Sequence, residues 1–347
     1  MSQSQQPFVR SFIAVDFRGI RESSKERTSL GVAGTAGVAV FAALSEALPE
    51  SVEREPEREM DTELRAQVAP AATTAIDVGG EAARAAYAYA ALGGLVRLAA
   101  VAGQDAAGDL LLRWLSEREV DVSAVARHGA TDISLHLGAA GYQPLTATAA
   151  APAPAAPEQV IGERGSALLL AGYPFVGALR GEAGLALLKR ARDAGVRTVL
   201  SLAPVALGGQ GKPLVPADLE PLLPAVDLVC GGPSELRRAT RRGDSQEAAR
   251  VLIDAGATSV LAKRGTDGAA VFRRGPAALE REDTSTPTAA ATLASAGVDP
   301  LRRAATFGAL YDAAYLLGVA LNDGSPVRFA SAAATRAAVS PSGILGI

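Results

Sequence analysis

Short apolar runs alternate with longer amphipathic segments along most of the chain from Gly79 onward. Runs of this length predict buried strands, and apolar residues spaced three or four positions apart predict helices. The predicted strands are Val96–Val101, Ala167–Gly172, Thr198–Leu202, Leu228–Cys230 and Ser259–Ala262. The predicted helices are Ala82–Leu92, Ala107–Arg118 and segments near 181–194, 217–224, 234–240, 246–255, 300–321 and 326–338. Because strand and helix alternate, we predict an α/β fold with a doubly wound, mostly parallel sheet flanked by helices.

The first part of the chain has a different character. Residues 1–28 are polar and charged apart from one short apolar run, and they are typical of an N-terminal extension. The stretch Leu30–Leu44 alternates glycine with small and β-branched residues, which predicts one buried strand ending in a tight turn. We therefore predict one α/β domain over residues 29–343, with a small β lid formed by segments near 45–75 and 131–157.

Composition narrows the classes of function. Of the 347 residues, 48% are hydrophobic and only 4% aromatic, and the net charge is -3 with both signs interspersed. This balance of charges does not indicate a basic surface that would bind nucleic acid or an anionic membrane. The single cysteine, Cys230, excludes an intrachain disulfide, and Met1–Arg10 lacks the apolar stretch of a secretion signal. We expect a cytoplasmic protein with a small-molecule ligand.

Short motifs, most of them rich in glycine, accompany several of the predicted strands. They are Gly79-Gly80-Glu81-Ala82-Ala83-Arg84 with Ala91-Leu92-Gly93 after it, Gly103-Gln104-Asp105-Ala106-Ala107-Gly108, Gly172-Tyr173, Val226-Asp227-Leu228 followed by Glu235, and Lys263-Arg264-Gly265-Thr266-Asp267-Gly268. A backbone without Cβ lets a ligand hydroxyl approach the main chain closely. Each pattern alone is weak, but in this order they resemble the ribokinase-like PfkB carbohydrate and nucleoside kinases over about residues 29–343.

The resemblance implies ATP-dependent transfer of a phosphoryl group to a hydroxyl of a sugar, nucleoside or related small molecule, with Mg²⁺ as the metal. It implies substrate contacts at Ala39, Gly79, Gly80, Arg84 and Gly172, nucleotide contacts at Lys263, Gly265, Gly268, Gly308 and Ala309, and a metal contact at Glu235. Lids in this family also form dimer contacts. The apolar, β-prone segment Ser134–Ala151 therefore favours a homodimer through the lid.

Such a reaction needs a carboxylate that takes the hydroxyl proton and backbone N–H groups at a helix N-terminus that hold the phosphoryl charge. In the family that this chain resembles, one G-A-G-D motif at the start of a C-terminal helix supplies both. Two segments compete for that role, Thr306–Asp312 with Asp312 as the base and Ser295–Pro300 with Asp299 as the base. Bulky side chains occupy the anion-hole positions of the first, and the second also fits a helix N-cap.

Several positions depart from the family's pattern. Ala39 stands where the family usually holds an Asp, Arg84 and Gly232 stand where it holds Asn, and the bulky Leu310 and Tyr311 occupy the anion-hole positions. Arg84 brings a cation into the predicted sugar pocket, which suggests pairing with Glu81 or an anionic ligand. Leu301–Leu321 also fits one unbroken helix, whose extra turns would enter the region of the nucleotide phosphates. The alternative function is an inactive pseudokinase that binds a small molecule or a protein partner.

Overall fold

The computed structural model describes residues 29–43, 73–138, 145–147, 156–174, 176–203, 219–264, 268–276, 278–284, 300–338 and 343–346. In chain order its strands are β1 (Ser29–Gly34), β2 (Gly37–Ala43), β3 (Thr73–Gly79), β4 (Leu95–Ala102), β5 (Val125–Arg127), β6 (Asp132–Gly138), β7 (Leu145–Ala147), β8 (Ala167–Tyr173), β9 (Arg197–Leu202), β10 (Leu228–Gly231), β11 (Ser259–Lys263), β12 (Ala269–Arg274) and β13 (Leu279–Thr284). The α-helices are α1 (Glu81–Ala91), α2 (Ala106–Glu117), α3 (Glu182–Asp193), α4 (Pro233–Thr240), α5 (Ser245–Asp254), α6 (Pro300–Ala320) and α7 (Pro326–Ala338).

The larger sheet has the order β13-β12-β11-β10-β9-β8-β1-β4-β5. Every pair from β11 to β5 is parallel, whereas β12 and β13 extend one edge as an antiparallel hairpin. Helices α1, α2, α6 and α7 bury one face of this sheet, and α3, α4 and α5 bury the other. Cys230 lies in the core, as an apolar residue does. The predicted doubly wound fold is confirmed.

The smaller sheet has the order β3-β2-β6-β7 and forms the lid. The register sets Ala39 of β2 between Asp77 and Ser134, and it sets Phe41 between Ala75 and His136. Because side chains alternate along a strand, these residues share one face of the lid. That face contacts the body of the protein at α1, since the Arg84 guanidinium lies 5.7 Å from the centre of the Phe41 ring.

The structure corrects the first predicted strand. Leu30–Leu44 is not one strand: β1 belongs to the large sheet and β2 to the lid, with Thr35 and Ala36 between them. An uninterrupted apolar pattern does not mark where a chain leaves one sheet for another. The segment 300–321 is one continuous helix, α6, so Asp312 lies well inside a helix rather than at its start.

The helices predicted at Ala82–Leu92 and Ala107–Arg118, and those near 181–194, 234–240, 246–255 and 326–338, correspond to α1, α2, α3, α4, α5 and α7. The extension 1–28 and most of the lid segment 45–75 lie outside the described residues. In the part of the chain that is described, no helix combines the length and apolar character needed to cross a membrane.

Candidate functional site

The candidate site lies at the carboxyl-terminal edge of the large sheet. Strands β1, β8, β9, β10 and β11 all end at this edge because they run parallel to one another. The chain leaves β1 for the lid here and returns from β3 directly into α1. In open α/β sheets, ligands bind in the crevice outside the carboxyl ends of the strands. The polar residues at these strand ends are therefore the candidates for function.

Asp312 is the central carboxylate of this edge. It projects from α6 and is only 4% exposed. Its Oδ2 atom accepts a hydrogen bond of 2.9 Å from Ser201 Oγ at the end of β9 and pairs at 2.9 Å with Lys263 Nζ at the end of β11. Its Oδ1 atom is buried and has no hydrogen-bond partner among the described residues. One oxygen is thus held firmly, and the other is left available as an acceptor.

The cation of this group is Lys263. Burial by itself lowers the pKa of Lys263, but the Asp312 carboxylate 2.9 Å away outweighs burial and raises it, so the ammonium stays charged. Cys230, at the end of β10, faces the same carboxylate. Burial and Asp312 together raise the pKa of the Cys230 thiol well above its ordinary value. The cysteine is therefore an uncharged neighbour and not a nucleophile.

The diglycine is required by the crossing between lid and body. Gly80 has φ 77° at the N-cap of α1, and a Cβ there would lie 2.6 Å from the carbonyl oxygen of Thr35. A Cβ on Gly79 would lie 2.6 Å from the carbonyl carbon of Val38 in β2. Both contacts are shorter than atoms tolerate, so only glycine allows β3 to pass this closely. The Gly79-Gly80 motif, which was predicted to contact the substrate, is therefore also required for packing.

Glu81 links the diglycine turn to the Asp312 group. Its backbone N–H donates to Thr35 Oγ1 at 3.1 Å, and a Cβ on Gly172 would lie 3.2 Å from the Glu81 side chain. Burial raises the pKa of Glu81, Arg84 and Lys263 lower it, and the Asp312 charge raises it again. Because the charges of Arg84, Lys263 and Asp312 all affect the pKa of Glu81, these four side chains share one electrostatic environment.

Arg84 lies under the lid. It is 6% exposed, and its Nε donates a hydrogen bond of 2.8 Å to the carbonyl oxygen of Val78. Its guanidinium faces Phe41, and Phe41 stacks on His136 with a centroid distance of 4.5 Å. The expected ion pair with Glu81 is not formed, and Arg84 Nη2 is buried without a hydrogen-bond partner among the described residues.

Two further residues that were predicted to contact the substrate, Ala39 and Gly172, lie on the lid and at the sheet edge. Ala39 is fully buried on the inner face of the lid, beside Asp77 and Ser134. Gly172, at the end of β8, has φ 87° and borders Glu81. The structure thus brings the predicted substrate residues together between the lid and the carboxyl edge of the sheet.

The predicted nucleotide residues are only partly described. Gly268 has φ 92° and its carbonyl oxygen accepts the backbone N–H of Arg264 at 2.8 Å, which closes the loop after β11. Gly308 lies on α6 with open space around an added Cβ, whereas Ala309 is buried at 5% exposure. Gly265 and the alternative base Asp299 lie outside the described residues.

Glu235 lies in the first turn of α4, close enough to the site to affect the pKa values of Glu81 and Lys263. A Cβ on Gly232 would lie 2.4 Å from Glu235 Oε2, so the glycine lets this carboxylate fold back over the helix start. Among the described residues, no group of three His, Cys, Asp or Glu side chains could hold a metal ion. A single carboxylate suits Mg²⁺ only when nucleotide phosphates and water supply the other ligands.

Sequence reasoning did not assign a role to Ser201 or Phe41, and it predicted that His136 lies in a loop or on the lid surface, whereas the structure buries it at 8% exposure. The signal for Ser201 was a polar residue at the carboxyl end of an otherwise apolar strand. No local signal marks Phe41 and His136, because their stacking depends on the register between β2 and β6. Register is fixed by sheet pairing and not by the residues of either strand alone.

A mostly parallel sheet flanked by helices, with a small second sheet, is the architecture of ribokinase-like α/β proteins. The model of the pfkB family of carbohydrate kinases matches residues 54–291. The chain belongs to this family. No curated protein sequence matches the chain.

Solved structures agree on the fold. Ribokinase from Arabidopsis thaliana, complexed with ribose and ATP, is 18% identical with a TM-score of 0.68, covering 92% of this chain and 95% of that one. Aminoimidazole riboside kinase from Salmonella enterica is 15% identical with a TM-score of 0.60, covering 91% and 93%. The tetrameric inhibited form of phosphofructokinase-2 from Escherichia coli is 20% identical with a TM-score of 0.60, covering 90% and 94%.

Proposed function

We propose that this chain is an ATP-dependent phosphotransferase that acts on a hydroxyl of a sugar, nucleoside or related small molecule, with Asp312 as the base. The proposal rests on a difference in hydrogen bonding between the two carboxylate oxygens of Asp312. Oδ2 is held by Ser201 and Lys263, and Oδ1 is buried without a partner among the described residues. A buried acceptor without a donor is costly unless a ligand supplies the hydrogen bond.

In this reaction the substrate hydroxyl donates to Asp312 Oδ1 and passes its proton there as its oxygen attacks the γ-phosphorus of ATP. The bond between the γ-phosphorus and its bridging oxygen breaks, and ADP leaves. Lys263 keeps Asp312 oriented, and its positive charge stabilises the negative charge of the transferring group. Mg²⁺ bound with ATP would neutralise phosphate charge, and Glu235 is the carboxylate that would help to hold it.

One observation favours a second function. Helix α6 runs without interruption from Pro300 to Ala320, so the backbone N–H groups of Leu310 and Tyr311 lie inside a helix. Amides inside a helix donate to carbonyl groups one turn earlier and are not free to hold a phosphoryl group. The second candidate is therefore a pseudokinase that binds a small molecule or a protein partner at the same site without phosphoryl transfer.

The two functions differ in their response to ATP with Mg²⁺. Under the first, millimolar ATP with Mg²⁺ raises the melting temperature, because a ligand that binds the native state stabilises it. The protein then transfers phosphate to a member of a sugar and nucleoside panel. Asp312→Asn lowers that turnover by about 10²- to 10⁴-fold, the usual contribution of a general base.

Two variants serve as controls for this experiment. Asp254→Asn changes an exposed aspartate on α5 and should leave turnover unchanged. Asp299→Asn tests the alternative base, and loss of turnover in that variant with retention in Asp312→Asn would move the base to Asp299. If the wild-type protein shows no thermal shift and no turnover, the phosphotransferase is refuted and the pseudokinase remains.

We further propose a cytoplasmic homodimer that associates through the lid. Ile76 and Ile133 are 49% and 52% exposed, and the register of β3, β2 and β6 places both on the outer face of the lid, opposite Ala39. Large apolar side chains that lie together on a surface are typical of association sites.

A further inference from the structure

Arg84 is a buried cation whose guanidinium is not fully satisfied by the described residues. It forms no ion pair with a described carboxylate, its Nη2 is buried and lacks a hydrogen bond, and Nε is used by Val78. A buried charge normally requires both a counter-charge and full hydrogen bonding. The structure therefore leaves at least one strong, charged donor unsatisfied under the lid.

The surroundings of Arg84 hold it rigidly but do not neutralise it. Its Nε is anchored to the Val78 carbonyl at 2.8 Å, and the Phe41 ring supports the guanidinium at 5.7 Å. The lid carboxylate Asp77 accepts the backbone N–H groups of Val78 and Ile344. A fixed guanidinium with a free N–H group is suited to carboxylate or phosphate oxygens.

Two side chains on the inner face of the lid carry no negative charge. Ala39 presents only a methyl group, and His136 is neutral because burial and the Arg84 charge lower its pKa to about 3. Glu81 is the acidic side chain closest in sequence to Arg84 on α1, and burial raises its pKa, which weakens its negative charge. An anionic group bound to Arg84 would meet this methyl group and this uncharged imidazole, while the Asp77 and Asp132 carboxylates lie on the same face of the lid and Asp77 accepts two backbone N–H groups.

We propose that Arg84 binds a carboxylate or phosphate group of the substrate, so that the substrate is an anionic derivative of a sugar or a related polyol and not a neutral one. The proposal rests on the proposed function for the location of the substrate between the lid and the sheet edge. The substrate hydroxyl that receives the phosphoryl group then faces Asp312, while the anionic group lies beneath the lid.

Binding measured in the absence of ATP tests this proposal. Two matched sets of probes are titrated calorimetrically, D-ribose with D-ribonate and D-ribose 5-phosphate, and D-glucose with D-gluconate and D-glucose 6-phosphate, with inorganic phosphate as a separate arm. In at least one set, an anionic member binds about 10- to 100-fold more tightly than the neutral sugar, the value of a charge-assisted hydrogen bond. The acid and phosphate arms show which anion is preferred.

Arg84→Asn, which removes the charge, should bring the anionic and neutral members to within about 2-fold of each other. Arg84→Lys keeps a charge without the planar fork and should keep part of the preference. Arg113→Asn on the exposed side of α2 is the matched control and should bind as the wild type does. If circular dichroism shows that Arg84→Asn does not fold, Arg84→Gln takes its place with the same expectation.

The proposal is overturned if no anionic probe binds, if neutral and anionic members bind alike, or if Arg84→Asn and Arg84→Gln keep the preference. Inorganic phosphate binding without binding of any sugar acid or sugar phosphate would also overturn it. Arg84-dependent binding without phosphoryl transfer would support this proposal and refute the phosphotransferase. Phosphoryl transfer to neutral sugars alone would support the phosphotransferase and refute the binding of an anionic substrate group by Arg84.

Discussion

At the scale of single residues, the site depends on groups whose protonation the fold has fixed. Lys263 remains charged because Asp312 is adjacent, whereas Cys230 and His136 remain neutral because burial disfavours their charged forms. His136 is the clearest case, since it stacks on Phe41 and is only 8% exposed. Such groups couple the stability of the lid to pH.

We predict that protonation of the unfolded chain at His136 destabilises the protein in mild acid. The pKa of His136 is about 3 in the folded protein and 6.5 for an ordinary histidine, so between these values the unfolded state binds the proton and the folded state does not. Stability therefore falls as pH falls through this window, by about 2 kcal/mol between pH 7 and pH 5 for a single group. Urea unfolding of wild type and His136→Gln at both pH values measures the difference, and the variant should lack this loss.

The chain has two histidines, and the other provides the control. His128 is exposed, so His128→Gln should retain the full pH dependence of the wild type. An equal change of unfolding free energy with pH in His136→Gln and in the wild type would show that His136 is protonated in the folded protein as well.

At the scale of elements, glycine decides how the lid joins the body. The turn from β3 into α1 passes over Thr35 and Ala36, and Gly80 has φ 77° there. The length of α6 also shapes the site, because Asp312 lies in the middle of this helix and not at its N-terminus. The chemistry available at the site thus depends on where elements begin and end.

Gly80→Ala should destabilise the protein by about 2–5 kcal/mol. The left-handed backbone costs a side chain about 1–2 kcal/mol, and overpacking against Thr35 and Ala36 adds about 1–3 kcal/mol. Urea denaturation measures the change. Gly165→Ala is the matched control, since Gly165 has φ 90° with nothing within 4 Å of an added Cβ, and it should show only the backbone cost. Equal losses in both variants would mean that the close contact at Gly80 relaxes freely.

At the scale of the whole molecule, the lid has two faces with different roles. Its inner face covers the candidate site with Ala39, Phe41 and His136, while its outer face exposes Ile76 and Ile133. If two copies associate through the outer faces, each lid is held in place over its own site. Assembly and ligand binding would then be linked through one small sheet.

Ile133→Glu should convert the proposed dimer into a monomer, because a charge placed in an apolar interface is costly to desolvate. Light scattering after gel filtration measures the mass. Leu95→Glu at the start of β4 changes a side chain that is similarly exposed, at 48%, but lies in the large sheet, and it should leave the mass unchanged. A monomeric wild type, or a dimeric Ile133→Glu, would contradict the assembly.

Much of the fold was predictable from the sequence because its signals are local. The strands from β8 to β11 and the helices α3 to α5 each carry their own apolar pattern, and glycines mark the turns between them. The break between β1 and β2 was missed because the apolar pattern continues across it. Of the site, Asp312 and Lys263 were named from their motifs, but their pairing was not.

By itself, the sequence determined the parallel α/β fold and the order of its glycine turns, since periodicity and turn chemistry act over a few residues. Only the tertiary structure decided that Asp312 meets Ser201, 111 residues away, and Lys263, 49 residues away. It also decided that α6 continues through Asp312 and that Arg84 is buried with its Nη2 unpaired among the described residues. These features depend on how distant segments pack, and packing is a property of the whole chain.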